Sequence, residues 1–459
     1  MRVLIVSQYF PPETGGPQNR LAAFAEGFVD AGAEVAVVTQ KPNYPRGVIW
    51  SEYRGGLFRE RSFYGARVIH TTILEDRRKS FVSRIGYFLS FVLFAVLASF
   101  RLPGRYDLVI ASSPPLFVGL AGWIIARLKR AKYIFDVRDL WPDVAIAMGE
   151  LRNPRAQKLA KRLEHFIYRR ADAITAVTDS FCEDIRKVVP QTPVLRVTNG
   201  TVPEHFRVDT DRDTLRRELD LPDGFIAAYV GNLGLAQGLD HIVDAASELS
   251  RTDPTVNVVV VGSGSAEESL RARAEATGAQ NLIMRPRVDL ETAAKYMAAA
   301  DVLLVPLGNH PIYRKFIPSK LFDSMAAGRP LLLSVDGEAR TLLEKAQAGW
   351  SYPAEDASAL AATIRDARRR ADELDEIGAR GREFVEQHFT RSVQAARMVE
   401  IARDVAANNT PRPEQAAAPT GQAESDAPDE PRKQEPNKQE PHQQSATAVR
   451  IAPQAAPLQ

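Results

Sequence analysis

Lys320 and Asp323 are the residues of this 459-residue chain whose placement asks most directly for a chemical partner. They fall in the run Pro318-Ser319-Lys320-Leu321-Phe322-Asp323-Ser324-Met325-Ala326-Ala327-Gly328-Arg329-Pro330. Pro318 suits the start of a helix and Gly328 its end. Lys320 then lies in the first turn, where the helix dipole disfavours a cation unless an anion lies between them. A diphosphate would resolve that conflict. Asp323 is three residues on, on the same helix face, where a carboxylate could accept hydrogen bonds from ribose hydroxyls. Without a ligand the two would be an ordinary surface pair, worth little.

Glycine-rich turns follow several apolar runs. Tyr9-Phe10-Pro11-Pro12-Glu13-Thr14-Gly15-Gly16-Pro17 closes the first one. Gly15 and Gly16 let backbone approach a ligand, and free N–H groups of a following helix favour phosphate. Val230-Gly231-Asn232-Leu233-Gly234 and Val261-Gly262-Ser263-Gly264 repeat the arrangement. Two such strand ends in one sheet form a crevice fit for a nucleotide. Plain hinge glycines would look the same, and none of the three is the G-x-G-x-x-G dinucleotide fingerprint.

The elements that carry these turns alternate. Strands are predicted at Arg2–Tyr9, Glu34–Thr39, Ala66–Ile73, Asp107–Ser112, Lys132–Val137, Ala173–Val177 and Val194–Thr198. Helical patterns lie between most of them, such as Pro17–Gly32 with Leu21, Phe24, Ala25 and Phe28 on one face. A second series has strands at Phe225–Val230, Val256–Val261, Asn281–Met284, Asp301–Pro306 and Pro330–Val335. Its helices are Leu239–Leu249, Glu267–Ala276, Leu290–Ala299 and Ser319–Ala327. This is the pattern of doubly wound α/β sheets, with turn chemistry between Gly200 and Gly224 dividing two Rossmann-like halves. The expected domains are 1–205, 206–383, a helix within 384–406 capped by Thr390 that returns to the first domain, and a tail at 407–459. From Pro411 the chain has nine prolines and no Phe, Trp or Tyr. Such a composition cannot offset its ordering entropy, so disorder is expected there.

Composition narrows the field. Hydrophobic residues make up 45% and the net charge is +2, which argues against a general nucleic-acid binder. Basic residues cluster locally, at Arg77, Arg78, Lys79 and Arg84, and again between Arg152 and Arg170. One cysteine, Cys182, excludes a disulfide framework within the chain and fits a reducing, cytoplasmic setting. The seven histidines have no ligand-like spacing, and no metal site is expected. The apolar run Val3–Val6 is too short for a signal peptide. Ile85 to Phe100 carries no charge over sixteen residues. That is short of the roughly twenty a spanning helix needs. We read it as a helix lying on or dipping into one leaflet, with basic neighbours facing anionic head groups. The alternative is a buried core helix.

With these residues in view, the chain resembles the retaining glycosyltransferases of family 4, which have the GT-B fold. It is most similar to enzymes of O-antigen and capsule assembly, including N-acetyl-fucosamine transferases. The resembling segments are Ser7–Asn19, Phe135–Asp143 (with Asp-Val-Arg-Asp-Leu-Trp-Pro-Asp), Val230–Gly238, and Ile317–Pro330 with the following Gly337-Glu338. The resemblance covers about residues 1–405. It implies a UDP-sugar donor held mainly by the second domain, an acceptor held mainly by the first, and no cofactor. Lys320 matches the basic residue that neutralises the diphosphate. Asp323 matches the second acid of the E-x7-E motif, which binds the donor ribose. Gly15 and Gly16 match the loop beside donor phosphates and acceptor, and Arg287 sits where family members contact the base.

The chain departs from that pattern in three places. The first acid of E-x7-E falls at Lys315, leaving His310, Tyr313 or Arg314 to replace part of its role. Asn232 and Gln237 stand for a usual Arg and Lys, so diphosphate charge rests on Lys320 and Arg314. Arg138, followed by Asp139, stands for a common His, and the pair would orient acceptor or donor sugar. Arg138, Asp139 and Lys320 are thus the candidate catalytic residues, and Gly15, Gly16, Asn232, Gly262, Arg287, Arg314, Lys320 and Asp323 the candidate donor-binding ones. The family implies front-face attack with retention, and the segment 85–100 suggests an acceptor carried on a polyprenyl diphosphate at the inner face of the cytoplasmic membrane. A UDP-sugar 2-epimerase-like enzyme and a non-catalytic sugar-nucleotide-binding scaffold are the competing readings. Donor consumption without acceptor would mark the first, and binding without consumption the second.

Overall fold

A computed structural model describes residues 1–43, 47–75 and 81–411. Arg77, Arg78, Lys79 and the Pro/Gln-rich tail from 412 onward lie outside the described residues.

The first sheet contains β1 (Arg2–Ser7), β2 (Glu34–Gln40), β3 (Phe58–Phe63), β4 (Ala66–Thr71), β5 (Leu108–Ser113), β6 (Lys132–Val137), β7 (Ala173–Ala176) and β8 (Val194–Arg196). Its order is β3-β4-β2-β1-β5-β6-β7-β8, and β3 alone runs antiparallel to its neighbour. The second contains β9 (Phe225–Val230), β10 (Val256–Val261), β11 (Leu282–Arg285), β12 (Val302–Val305), β13 (Leu331–Leu333) and β14 (Gly349–Ser351). Its order is β11-β10-β9-β12-β13-β14, with every pair parallel. Two Rossmann-like sheets of the GT-B kind therefore stand in one chain. The central strands are near-continuous apolar runs because helices cover both faces. Val3 to Val6 and Val258 to Val261 are all buried. The strand order reverses at β1 and at β9, and ligand crevices of such sheets open beyond the strand ends at these reversals.

Two strands were not anticipated. β3, Phe-Arg-Glu-Arg-Ser-Phe, is a largely exposed edge strand, so it lacks the apolar run that marks a buried one. β14 is three residues long and only partly buried.

The first half carries helices α1 (Gly16–Asp30), α2 (Phe81–Ser99), α3 (Phe117–Lys129), α4 (Asp143–Ala147), α5 (Pro154–Arg170) and α6 (Asp179–Val188). The second carries α7 (Arg212–Glu218), α8 (Asp240–Thr252), α9 (Glu267–Thr277), α10 (Leu290–Ala299), α11 (Ser319–Ala326), α12 (Glu338–Ala346), α13 (Ala357–Arg369), α14 (Leu374–His388) and α15 (Arg391–Ala406). The Thr390 hydroxyl accepts from Val393 N at 3.1 Å and caps α15. α15 crosses back onto the first half: Ala395, Met398 and Ala402 share a core with Leu21, Phe24 and Phe28 of α1. Gly27 makes the approach possible, since a methyl there would sit 2.9 Å from the Ala395 side chain.

α2 divides the two readings of segment 85–100 between its faces. Tyr87, Phe91, Ala95 and Ala98 are buried in the first core. Leu89, Leu93, Leu97 and Phe100 are 46%, 56%, 41% and 65% exposed and line the opposite face. Among the described residues no helix is long and apolar enough to cross a membrane.

Candidate active site

The second sheet builds one pole of the site at the ends of β9 and β10. Gly231 and Gly262 adopt φ values of 154° and 153°, which L side chains rarely take. A methyl on Gly262 would collide with the Gly231 carbonyl oxygen, and a methyl on Gly231 with the Lys320 ammonium. From the sequence, both glycine turns are expected to make room for a ligand. The structure uses Gly262 for its neighbouring turn, pinned by Gly231 N to Val261 O at 2.9 Å and Leu233 N to Ser263 O at 3.0 Å. It uses Gly231 to seat Lys320.

Lys320 lies in the first turn of α11 with its Nζ 3.5 Å from the centre of the Tyr229 ring. The ammonium is buried and has no hydrogen-bond partner. Burial pulls its pKa from 10.5 down to about 7, opposed by Asp323. A buried cation over a ring face, carried by the first turn of a helix and without a hydrogen-bond acceptor, is an unfinished charge pair. The Tyr229 hydroxyl donates to the Asn232 carbonyl at 2.6 Å, tying the exposed Asn232 turn to the side chain that Lys320 rests on. Sequence reasoning missed Tyr229: within an apolar strand it reads as core.

Asp323 faces elsewhere than a bare Lys–Asp pair would suggest. Its carboxylate accepts from the Thr201 hydroxyl at 2.6 Å. Burial raises its pKa, against the pull of that hydrogen bond and of Arg391, Lys320 and His205. Thr201 and Arg391 belong to the two segments that pass between the halves, and Arg391 N donates to Thr201 O at 2.8 Å.

The other pole is on the first sheet. Gly15 leads into α1 with no side-chain cap, leaving N–H groups of the first turn open, and no atom lies within 4 Å of a methyl built on Gly16. On β6, Asp136 is fully buried and takes hydrogen bonds from Arg20 Nη2 at 2.9 Å, Ser112 Oγ at 2.7 Å and Thr175 Oγ1 at 2.9 Å. Burial works against its charge, but Arg20 and Ser112 prevail and hold its pKa below 3.8. This network ties α1 to β5, β6 and β7 and sets Arg138 and Asp139 just beyond β6. Arg138 donates from Nε to Ser113 O at 2.6 Å and from Nη2 to Pro114 O at 3.5 Å. Burial lowers its pKa to about 10. Burial raises that of Asp139, and Arg138 opposes the shift. The Asp139 carboxylate has no hydrogen-bond partner among the described residues.

Arg287 and Arg314 make no contact with Lys320 or Asp323 among the described residues, and Arg287 follows β11 two residues past Arg285, whose carbonyl accepts from Gly262 N at 3.1 Å. Arg287 is exposed beyond the edge strand β11 and forms no ion pair among the described residues. The Arg314 guanidinium is 66% exposed and reaches Asp336 at 4.0 Å rather than Lys320. Lys315 turns to the first half and pairs with Asp184 of α6 at 2.5 Å. Beside it Glu338, quoted in the sequence only as part of a motif, accepts from Asp179 N, Ser180 N and the Ser180 hydroxyl at 2.8, 3.0 and 3.1 Å.

Comparison with known proteins agrees with this geometry. Residues 15–200 match the family model of a glycosyl transferase 4-like domain, and residues 211–384 that of glycosyl transferases group 1. WcaI of Escherichia coli (strain K12), named as a colanic acid biosynthesis glycosyl transferase, is 26% identical over 346 residues, covering 73% of this chain and 84% of that protein. Sucrose-phosphate synthase from Thermosynechococcus elongatus superposes with a TM-score of 0.70 at 20% identity, covering 89% of this chain and 100% of the other. Anabaena HepE, solved in complex with UDP-glucose, does so with a TM-score of 0.63 at 16% identity, covering 89% and 99%. With one family model on each sheet and the GT-B arrangement shared by these structures, the chain belongs to the family 4, group 1 glycosyltransferases, a retaining GT-B family.

Proposed function

We propose that this chain moves a sugar from a UDP-sugar to a lipid-linked or saccharide acceptor during assembly of a cell-surface polysaccharide. The observation that carries the reading is Lys320: a buried ammonium without a hydrogen-bond partner, at the start of a helix, beside a glycine turn. A diphosphate supplies the charge this arrangement lacks. The relative named for colanic acid assembly and the UDP-glucose-bound structural neighbour support the donor class and the pathway class. We take the transferred sugar to be an N-acetylated hexosamine or deoxyhexosamine, as in the N-acetyl-fucosamine transferases that the motifs resemble.

In this reading the second half holds the donor and the first half the acceptor. The bond between the anomeric carbon and the β-phosphate oxygen breaks, the acceptor oxygen bonds to that carbon on the same face, and the leaving phosphate takes the acceptor proton. Lys320 and the α11 N-terminus stabilise the charge that develops on the diphosphate. Asp323 accepts from ribose hydroxyls. Arg138 and Asp139 orient the sugar or acceptor from the end of β6. The exposed Leu89–Leu93–Leu97–Phe100 stripe, flanked by Arg84 and Arg101, rests on the inner face of the cytoplasmic membrane and brings a polyprenyl-linked acceptor within reach.

Melting temperature measured against a panel of nucleotides tests the donor assignment, because a ligand that binds only the native state must raise it. UDP and one UDP-sugar should stabilise the chain by several degrees while ADP and GDP do not. No response to any nucleotide would overturn the donor site.

A further inference from the structure

We propose that Glu338 is a positioning residue that latches the two halves of the chain shut over the donor site, and that Lys315 has been recruited to the same latch. The inference rests on the reading that the donor binds between the halves.

Six contacts cross from α6 and its Thr178 cap to the segments heading α11 and α12. Glu338 takes the N–H groups of Asp179 and Ser180 and the Ser180 hydroxyl. Those N–H groups belong to the first turn of a ten-residue helix and have no partner within it. The third, Phe181 N, is satisfied by the helix's own Thr178 hydroxyl at 3.1 Å. The α6 N-terminus is therefore completed only by a carboxylate from the other half. The same Thr178 hydroxyl donates to the Lys315 carbonyl at 3.0 Å, the Lys315 ammonium pairs with Asp184, and Phe181 meets Phe316 edge-on at 5.1 Å.

The loops on the donor side are built to deliver Glu338 there. Gly337 has φ 82°, and a methyl on it would collide with the Arg314 carbonyl. The glycine presses the start of α12 against the turn Pro311–Lys315, so that Glu338 and Lys315 reach α6 side by side. A carboxylate at position 315 would repel Asp184. The lysine instead joins it, and the acid appears one loop away, where a helix N-terminus receives it. Hydrogen bonds to an ionised carboxylate are about twice as strong as neutral ones. Because these form only when the halves meet, their strength biases the equilibrium between open and closed forms and so the apparent affinity for anything that needs the closed form.

The test uses the full chain with spin labels at Asp30→Cys and Glu275→Cys, one exposed position on each half. Cys182 is buried and burial pushes its thiol up to about 12, so it stays unlabelled. Distance distributions and UDP affinity are measured for wild type, Glu338→Ala, Glu338→Gln and Asp179→Pro. Proline suits the first helical position and removes one N–H of the pair. Glu338→Ala should broaden the distribution toward longer distances and weaken UDP binding about ten-fold. Glu338→Gln should recover part of both, and Asp179→Pro should shift both in the same direction by less. An unchanged distribution in Glu338→Ala would overturn the latch. Opening by Glu338→Ala in a chain that binds no UDP at all would keep the latch and discard the donor reading.

Discussion

Arg20 and Lys320 are both buried cations, and their surroundings are opposites. Arg20 is fully committed: its guanidinium meets Asp136 at 2.9 Å and the carbonyls of Val197 and Thr198. Its partner Asp136 is in turn bonded to Ser112 and Thr175. Lys320 has an aromatic face and no hydrogen-bond acceptor. A saturated buried pair organises structure, whereas an unsaturated buried charge stores a cost that an incoming anion removes. The first locks α1 to the sheet; the second waits at the cleft.

The comparison breaks if the two cations exchange behaviour. Lys320→Ala should lower kcat/KM about a thousand-fold, as for loss of a preorganised electrostatic stabiliser, and leave the melting temperature equal to or above that of wild type. Asp136→Ala should do the reverse in kind: urea denaturation should show a loss of about 3 kcal/mol, because it strands a buried guanidinium. A destabilised Lys320→Ala, or a stable Asp136→Ala, would reverse the assignment. The sign for Asp136 is that of a depressed carboxylate. Its contribution is present above the unfolded value of 3.8 and disappears as pH falls through the lower native value.

A smaller effect sharpens the contrast. Lys320 titrates at about 7 in the free protein, so below that pH it already carries the charge a diphosphate requires. Above it the ammonium must regain a proton on binding. UDP affinity should therefore fall as pH rises above 7, by up to about ten-fold per unit. Calorimetry at pH 8.5 in buffers of different ionisation enthalpy should record uptake of close to one proton. Lys320→Ala should abolish the uptake, and its persistence there would assign the proton to another group.

Much of this was legible beforehand, for definable reasons. Buried parallel strands write themselves as apolar runs, and β6, β9 and β10 have the residue bounds the runs predict. Lys320 stood out because a cation in a first helical turn is a local conflict that needs no tertiary knowledge to see. Its platform, Tyr229, did not, because an aromatic in a strand is ordinary core. Arg20 sits one residue before Leu21, within a helix whose apolar face was plain, yet nothing local tells a buried arginine from an exposed one. Its partner is 116 positions away. Arg287 and Arg314 follow from resemblance, and resemblance carries no information on where a long side chain points, so their part in the site stays a proposal. Glu338 lay in a quoted motif, but its role depends on a helix end contributed by the other half.

The two passages between the halves run side by side. Thr201 N donates to Phe389 O at 2.9 Å, Arg391 N returns to Thr201 O at 2.8 Å, and Gly200 has its missing side chain filled by the Thr390–Arg391 backbone. Two connectors bonded in this way act as a single strap rather than two independent tethers. Sliding or separation of the halves would break backbone bonds, while flexing about the strap would not. Asp323 fastens α11 to that strap through Thr201. The helix that carries Lys320 is therefore anchored at the pivot of the molecule, and on the proposed reading a donor bound at Lys320 would have a direct mechanical route to the angle between the halves.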